Sequence, residues 1–194
     1  MSRLTIPRWV LAGVALAVVW LFVSGTPGTS SGLAGGFLLG LVLSLPVAYL
    51  FRALFRGRSD LGRAPAVVPA AARYLALFVY ELVTANLGVA RRVLSPSLPL
   101  DPGVVVVPLR VESDGAVTTV ANSITLTPGT LTMDHDAEAN ALVVHAVDVS
   151  DLDAVLAPIR RWERYAIVIF DEDVDPAAPA PPARLEPPEG DDRD

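Results

Sequence analysis

Between positions 61 and 100 the 194-residue chain carries a single acid, Glu81, inside the run RYLALFVYELVTANLGVARRVL (73–94). A carboxylate so placed can hold or relay a sodium ion or a proton at a subunit interface beside a membrane. In a purely structural role it sits in headgroup water or pairs with an arginine of a neighbour. Asn86 lies off the polar side of the same run, where its amide needs a hydrogen-bond partner, and an interhelical or interchain bond fits it better than a cation does. A second set is NSITLTPGTLTMD (122–134). Asn122, Thr125, Thr127 and Thr130 offer neutral oxygens around the Pro128 turn, and a hard cation such as sodium takes oxygen ligands. The same residues also serve as turn and helix-capping groups. Asp134, His135 and Asp136 look like metal ligands only superficially, because neighbours on a strand point to opposite faces and only His145 could add an imidazole. A solvated hairpin end explains them. There is no Ser/His/Asp set, no phosphate-cradling loop followed by lysine, no dinucleotide fingerprint and no cysteine. The expectation is a non-enzyme, with no catalytic residue, resident cofactor or metal site.

The elements that position these residues divide into two halves of opposite charge. All 15 basic residues are arginine; the first hundred positions balance to +7 and the rest to −13. With 52% hydrophobic residues, 19% charged and a mean hydropathy of +0.48, the chain reads as a membrane protein with a modest water-soluble part. An acidic soluble half argues against nucleic acid as a partner.

Taken in order, residues 1–51 read as a transmembrane hairpin. Arg3 and Arg8 precede a short uncharged run (9–23), SGTPGTSSG (24–32) forms a tight turn, and 33–51 returns across the membrane, with Pro46 a kink. A cleaved signal peptide resembles the first run, but a second apolar run follows almost at once. Gly36 and Gly40 form a GxxxG, which serves packing within the hairpin as well as contact with another subunit. The loop 52–69 holds Arg52, Arg56, Arg58 and Arg63 against Asp60, so the positive-inside rule makes it cytoplasmic. Residues 70–94 follow as an amphipathic helix: Arg73, Tyr80, Glu81, Thr84, Gly88, Arg91 and Arg92 share one face, and Leu75, Phe78, Val79, Leu82, Val83, Val89 and Val93 the other. Only Leu77 and Asn86 break the pattern. With arginines at both ends, and about 2.5 to 3.5 kcal/mol to place one charge mid-membrane, the helix is expected to lie on the cytoplasmic surface, its apolar face on lipid or a neighbouring subunit. A third span with its polar stripe packed on other helices is the alternative.

A cytoplasmic α+β domain of about three strands and two helices is expected over 95–170. VVVVPLRV (104–111) is a strand, with Pro108 marking a bulge or an edge. Residues 116–125 are a short helix or irregular, and 129–135 with 142–149 form a hairpin. A helix capped by Ser150 runs to about position 169, kinked or broken at Pro158. The acidic, proline-rich segment 171–194 should be disordered.

In this order and spacing, the short apolar hairpin, ELVTANLGVARRVL (81–94), NSITLTPGTLTMD (122–134) and ALVVHAVDV (141–149) resemble the E subunit of the multisubunit Mrp/Mnh-type cation/proton antiporters. The resemblance implies an accessory and assembly subunit in a bacterial plasma membrane. Its partners would be large antiporter-like subunits, small membrane subunits and lipid; the large subunits would carry the proton path while the complex exchanges Na+ for H+. The acidic tail departs from the family pattern. The rival reading is a stand-alone membrane-anchored protein-binding module.

Overall fold

A computed structural model describes residues 5–25, 28–55, 57–96 and 100–186. The chain forms two compact units, residues 1–64 and 65–194, taken in turn below.

In the first unit, β1 (Thr5–Pro7) leads into α1 (Arg8–Val23), a turn reverses the chain, and α2 (Ser30–Leu50) runs back to β2 (Arg58–Asp60) and a 3-10 turn (Leu61–Arg63). Thr29 starts α2 by accepting the Gly32 amide at 3.2 Å. The two helices approach closely because small residues meet. A Cβ on Gly40 would lie 3.1 Å from the Ala17 Cα, and one on Gly13 only 2.7 Å from the Leu45 side chain. Gly40 is therefore used inside the hairpin. Trp9 stacks edge-on against Tyr49 at 5.5 Å. The outward side of α2 is bare hydrocarbon, with Leu38, Val42 and Val47 all exposed. By length and composition α2 and the stretch Leu61–Leu94 can each cross a bilayer; α1, at 16 residues or about 24 Å, falls short of the usual span. Below the pair, β1 and β2 join antiparallel, and Arg58 donates to the Thr5 hydroxyl and carbonyl, both at 2.8 Å. Arg52 folds back over the Tyr49 ring at 4.3 Å and onto its carbonyl. Arg56 lies outside the described residues.

The second unit begins with α3 (Ala64–Leu94), a 31-residue helix that starts well before position 70 and contains Pro69. Then come β3 (Gly103–Pro108), α4 (Asp114–Leu126), β4 (Thr130–Asp136), β5 (Ala141–Ala146), α5 (Leu152–Phe170) and β6 (Arg184–Glu186). The sheet order is β4-β5-β3-β6, with every pair antiparallel. Val105, Val107, Leu142 and Val144 of the sheet meet Val120 and Ile124 of α4 and Ile159 and Trp162 of α5 in one core.

Several expectations need correction. Of the two alternatives for residues 116–125 the helix is the one formed, extended to Asp114–Leu126 because Ser113 caps α4 by accepting the Ala116 amide. β3 is internal, with Pro108 at its last position, where the missing N–H does least harm. The irregularity falls instead on β4, between Thr132 and Asp134. The cap of α5 is Asp151, which accepts the Ala154 amide at 3.1 Å; Ser150 is occupied with Asp148. Pro158 sits inside an unbroken α5.

The largest correction concerns the tail. Of 171–194, the stretch to 186 is laid against the domain and ends as the fourth strand, while 187–194 lie outside the described residues. The expectation of disorder rested on its poverty in apolar side chains. Polar anchors hold it instead: the Glu172 carboxylate accepts the Glu112 and Ser113 amides, and Arg110 and Arg160 donate to the carbonyls of Pro176, Ala178 and Pro181.

A cleft between the amphipathic helix and the α+β domain

One side of α3 is fastened to the rest of the second unit at four levels. Tyr74 is buried, its hydroxyl 2.7 Å from the Ser123 hydroxyl. A turn later Phe78 packs its ring on Trp162, with centroids 6.4 Å apart. Then the Glu81 carboxylate accepts Arg161 of α5 at 2.8 Å. Near the end, Arg92 donates to Asp148 at 2.6 Å. Leu77, the residue out of place on the polar stripe, packs on the core. Asn86, out of place on the apolar side, returns its amide to the Leu82 carbonyl of its own helix at 2.7 Å.

Below this helix lies a cleft of about 440 Å³, lined by α3, the turn after α4, the end of β5 and the first half of α5. It brings together five of the residues singled out in the sequence, Glu81, Arg92, Thr127, Pro128 and Thr130. Asn122 and Thr125 of α4 stay outside it, exposed, as is Arg91 of α3. The floor is Ile159 and Trp162, each 2% exposed. Trp162 was not singled out from the sequence, and its indole N–H is buried without an acceptor. The signal was there: Ile159, Trp162, Ala166 and Ile167 repeat at helical spacing.

Every threonine hydroxyl at the turn has a local task. Thr127 donates to the Ser123 carbonyl at 2.8 Å, Thr130 to the Ile124 carbonyl at 2.8 Å, and the Thr125 hydroxyl accepts the Thr132 amide. The first two bonds serve carbonyls in the last turn of α4 and the third holds an amide of β4. Gly129 completes the turn at φ +95°, a left-handed conformation that a side chain would strain. The cleft's carboxylates are engaged too: Glu81 with Arg161, Asp148 with Arg92 and Ser150, Asp151 with the Ala154 amide. The arrangement is that of a joint, with its oxygens committed to backbone and its charges to each other.

The Ser150 hydroxyl and amide, and then Arg92, hold the Asp148 carboxyl below its ordinary value of 3.8. A depressed carboxylate contributes stability that is complete above its unfolded value and is lost as pH falls through the folded one. The joint between β5 and α3 is therefore expected to weaken only below about pH 4, and Asp148→Asn to flatten that limb of the stability curve. Thermal unfolding of both proteins across pH 2.5–6 checks it; parallel curves would show that the carboxylate contributes nothing.

Two helical stretches long and apolar enough to cross a bilayer, together with an α+β unit, define the class as a membrane protein. The family described as Na+/H+ ion antiporter subunit matches residues 13–169. The chain is 32% identical to the Na(+)/H(+) antiporter E subunit of Bacillus subtilis (strain 168) over 81% of this chain and 94% of that one. It is 31% identical to the corresponding antiporter protein of Alkalihalophilus pseudofirmus, over 82% and 95%. Among solved structures, a chain of the membrane-bound sulfane sulfur reductase, an archaeal respiratory membrane complex, superposes with a TM-score of 0.62 at 30% identity, covering 85% of this chain and all of that one. The chain belongs to the E-subunit family of Na+/H+ antiporters. That is a family of transporter subunits, not of classical enzymes.

Proposed function

We propose that this chain is an accessory and assembly subunit of a multisubunit cation/proton antiporter, which fastens a cytoplasmic domain to the membrane part without itself carrying the main proton path. The observation that carries the reading is the two-sidedness of α3. Its inner side is bound from Tyr74 to Arg92, about 27 Å along the axis, while Leu75, Val79, Val83 and Leu87 on its outer side are at least 47% exposed. A helix carrying a domain along that length cannot also be wrapped by lipid, so α3 lies along the cytoplasmic surface with its outer side on lipid or a neighbouring subunit. The arginine-rich loop before it and the ion pairs of Glu81 with Arg161 and of Arg92 with Asp148 support that orientation. Membership of the E-subunit family supports large antiporter-like subunits as the partners, and Na+ and H+ as the ions that the complex exchanges.

Glu81 on this reading is an anchor for Arg161. Glu81→Gln is expected to leave cation-dependent proton flux per assembled complex unchanged, within about twofold, since a part-exposed pair contributes only about 0–1 kcal/mol. A loss of flux in a fully assembled complex would move Glu81 onto the ion path.

Mild solubilisation and capture through a carboxy-terminal tag test the proposal directly. Polytopic antiporter-like subunits in stoichiometric amount are expected in the eluate; a chain that elutes alone would favour an anchored module. Because the chain has no cysteine, topology is separately testable with Glu138→Cys in the exposed β4–β5 loop. It should label with an impermeant maleimide only after permeabilisation, and labelling in intact cells would reverse the orientation.

A further inference from the structure

Away from the cleft, Glu163 of α5 is fully buried and organises two arginines. Its Oε2 accepts Arg110 Nε at 3.0 Å and Arg160 Nη1 at 3.3 Å, while its Oε1 accepts the Arg110 backbone amide. Held this way, the guanidiniums turn their other donors to the tail. Arg110 Nη1 reaches the carbonyls of Pro176 at 3.3 Å and Ala178 at 2.7 Å, and Arg160 Nη2 reaches that of Pro181 at 2.7 Å. Leu156 and Ala157 of α5 on one side and Pro181 and Pro182 of the tail on the other line an open groove of about 320 Å³. Beyond it, residues 184–186 pair with Val104–Val106 on the outer edge of β3.

Nearly all of these contacts are to main chain. The side chains of β6 are exposed, so what the surface reads is an extended chain that presents carbonyls. Prolines suit it, being pre-extended and lacking N–H groups. The edge itself is unusual in its strand: Val105, Val106 and Val107 are buried, the pattern of an internal strand, and such an edge left open is a template for pairing. The matched family region ends at 169, before the tail begins.

We propose that β3's outer edge, Arg110, Arg160 and the facing side of α5 form a receptor site for an extended, proline-rich polypeptide segment. The chain's own residues 175–186 fill it in cis as a replaceable strap, which an extended segment of a partner subunit displaces in the assembled complex. That last clause rests on the subunit role proposed above; the site itself does not. Recognition follows the strand-addition mode, in which main-chain bonds supply affinity.

The test uses the chain ended after Val174, which keeps Glu172, and a fluorescein-labelled synthetic peptide of residues 175–186. The peptide is expected to bind the shortened chain, and to bind at least tenfold more weakly to the full chain, whose site is filled, and to the shortened chain carrying Arg160→Met. Equal binding to full and shortened chains, or binding to neither, overturns the site. Should the shortened chain fail to fold, a protease site placed after Val174 allows the full chain to fold first and be cut afterwards. The cut tail is then expected to stay bound and to exchange for labelled peptide, whereas immediate release without exchange overturns the proposal. In the assembled complex containing the shortened chain, the β3 edge amides should stay protected from hydrogen exchange although they exchange in the isolated shortened chain. Free exchange in both overturns displacement by a partner while leaving the peptide result standing, and co-purification judges the subunit role independently.

Discussion

Glu163→Gln is expected to cost about 3 to 5 kcal/mol of domain stability, the range for breaking a buried ion pair on one side. The carboxylate is fully buried between Arg110, 7% exposed, and Arg160, 16% exposed. A neutral amide leaves two guanidiniums facing each other with no counter-charge. Burial already pushes the Arg160 guanidinium below its ordinary value, and the adjacent Glu163 carboxylate pushes it back up. Removing the carboxylate removes that compensation. Thermal unfolding followed by circular dichroism should show a fall on the order of 10 °C or more. Replacing all three, Glu163→Leu with Arg110→Met and Arg160→Met, is expected to be less damaging than Glu163→Gln alone, because no charge is then left buried. The triple variant should nevertheless lose the order of its tail, visible as fast hydrogen exchange on the β3 edge. A triple variant no more stable than the single one would show that the charges, not the packing, hold this corner together.

Val79→Asp together with Val83→Asp is expected to abolish recovery of this chain in the assembled complex while leaving its domain folded. Both side chains are exposed on the outer side of α3, at 47% and 53%, and neither belongs to the hydrophobic core or packs against it. If lipid or a neighbouring subunit covers them, burial of each valine contributes about 1.5 kcal/mol or more. The pair then accounts for roughly 3 kcal/mol, or about 100-fold in affinity, before the cost of desolvating two carboxylates is added. Co-purification yield and domain melting, measured on the same preparation, separate the two effects. Normal assembly of the double variant would mean that the outer side faces water, and α3 would need another explanation.

How much of this was legible in the sequence depends on whether a residue had one neighbour or two. The outer side of α3 was readable because apolar residues at helical spacing mark an apolar face whatever covers it. Its inner side was not, because it meets a mixed surface: Phe78 went to the apolar face on periodicity, yet it packs on Trp162, and Leu77 looked like an error in the polar stripe. Glu81 was noticed as a lone acid, but its partner Arg161 lies 80 positions away and periodicity has no reach over that distance. The β4–β5 hairpin was legible from alternation and turn residues, and the Thr127–Thr130 hydroxyls from the chemistry of helix ends. The tail was misread because composition measures apolar burial and says nothing about backbone carbonyls. Glu163 could have been found. It falls on the apolar face of α5 between Trp162 and Ala166, and a charge in that position needs a buried counter-charge.

The fastening of α3 at Tyr74, Phe78, Glu81 and Arg92 also has a mechanical meaning. Four attachments spread over 18 residues leave a helix no single pivot about which to roll, and sliding it by one turn would break them together. A push delivered to α3 is therefore expected to pass to α4, α5 and the end of β5 together, through Ser123, Trp162, Arg161 and Asp148.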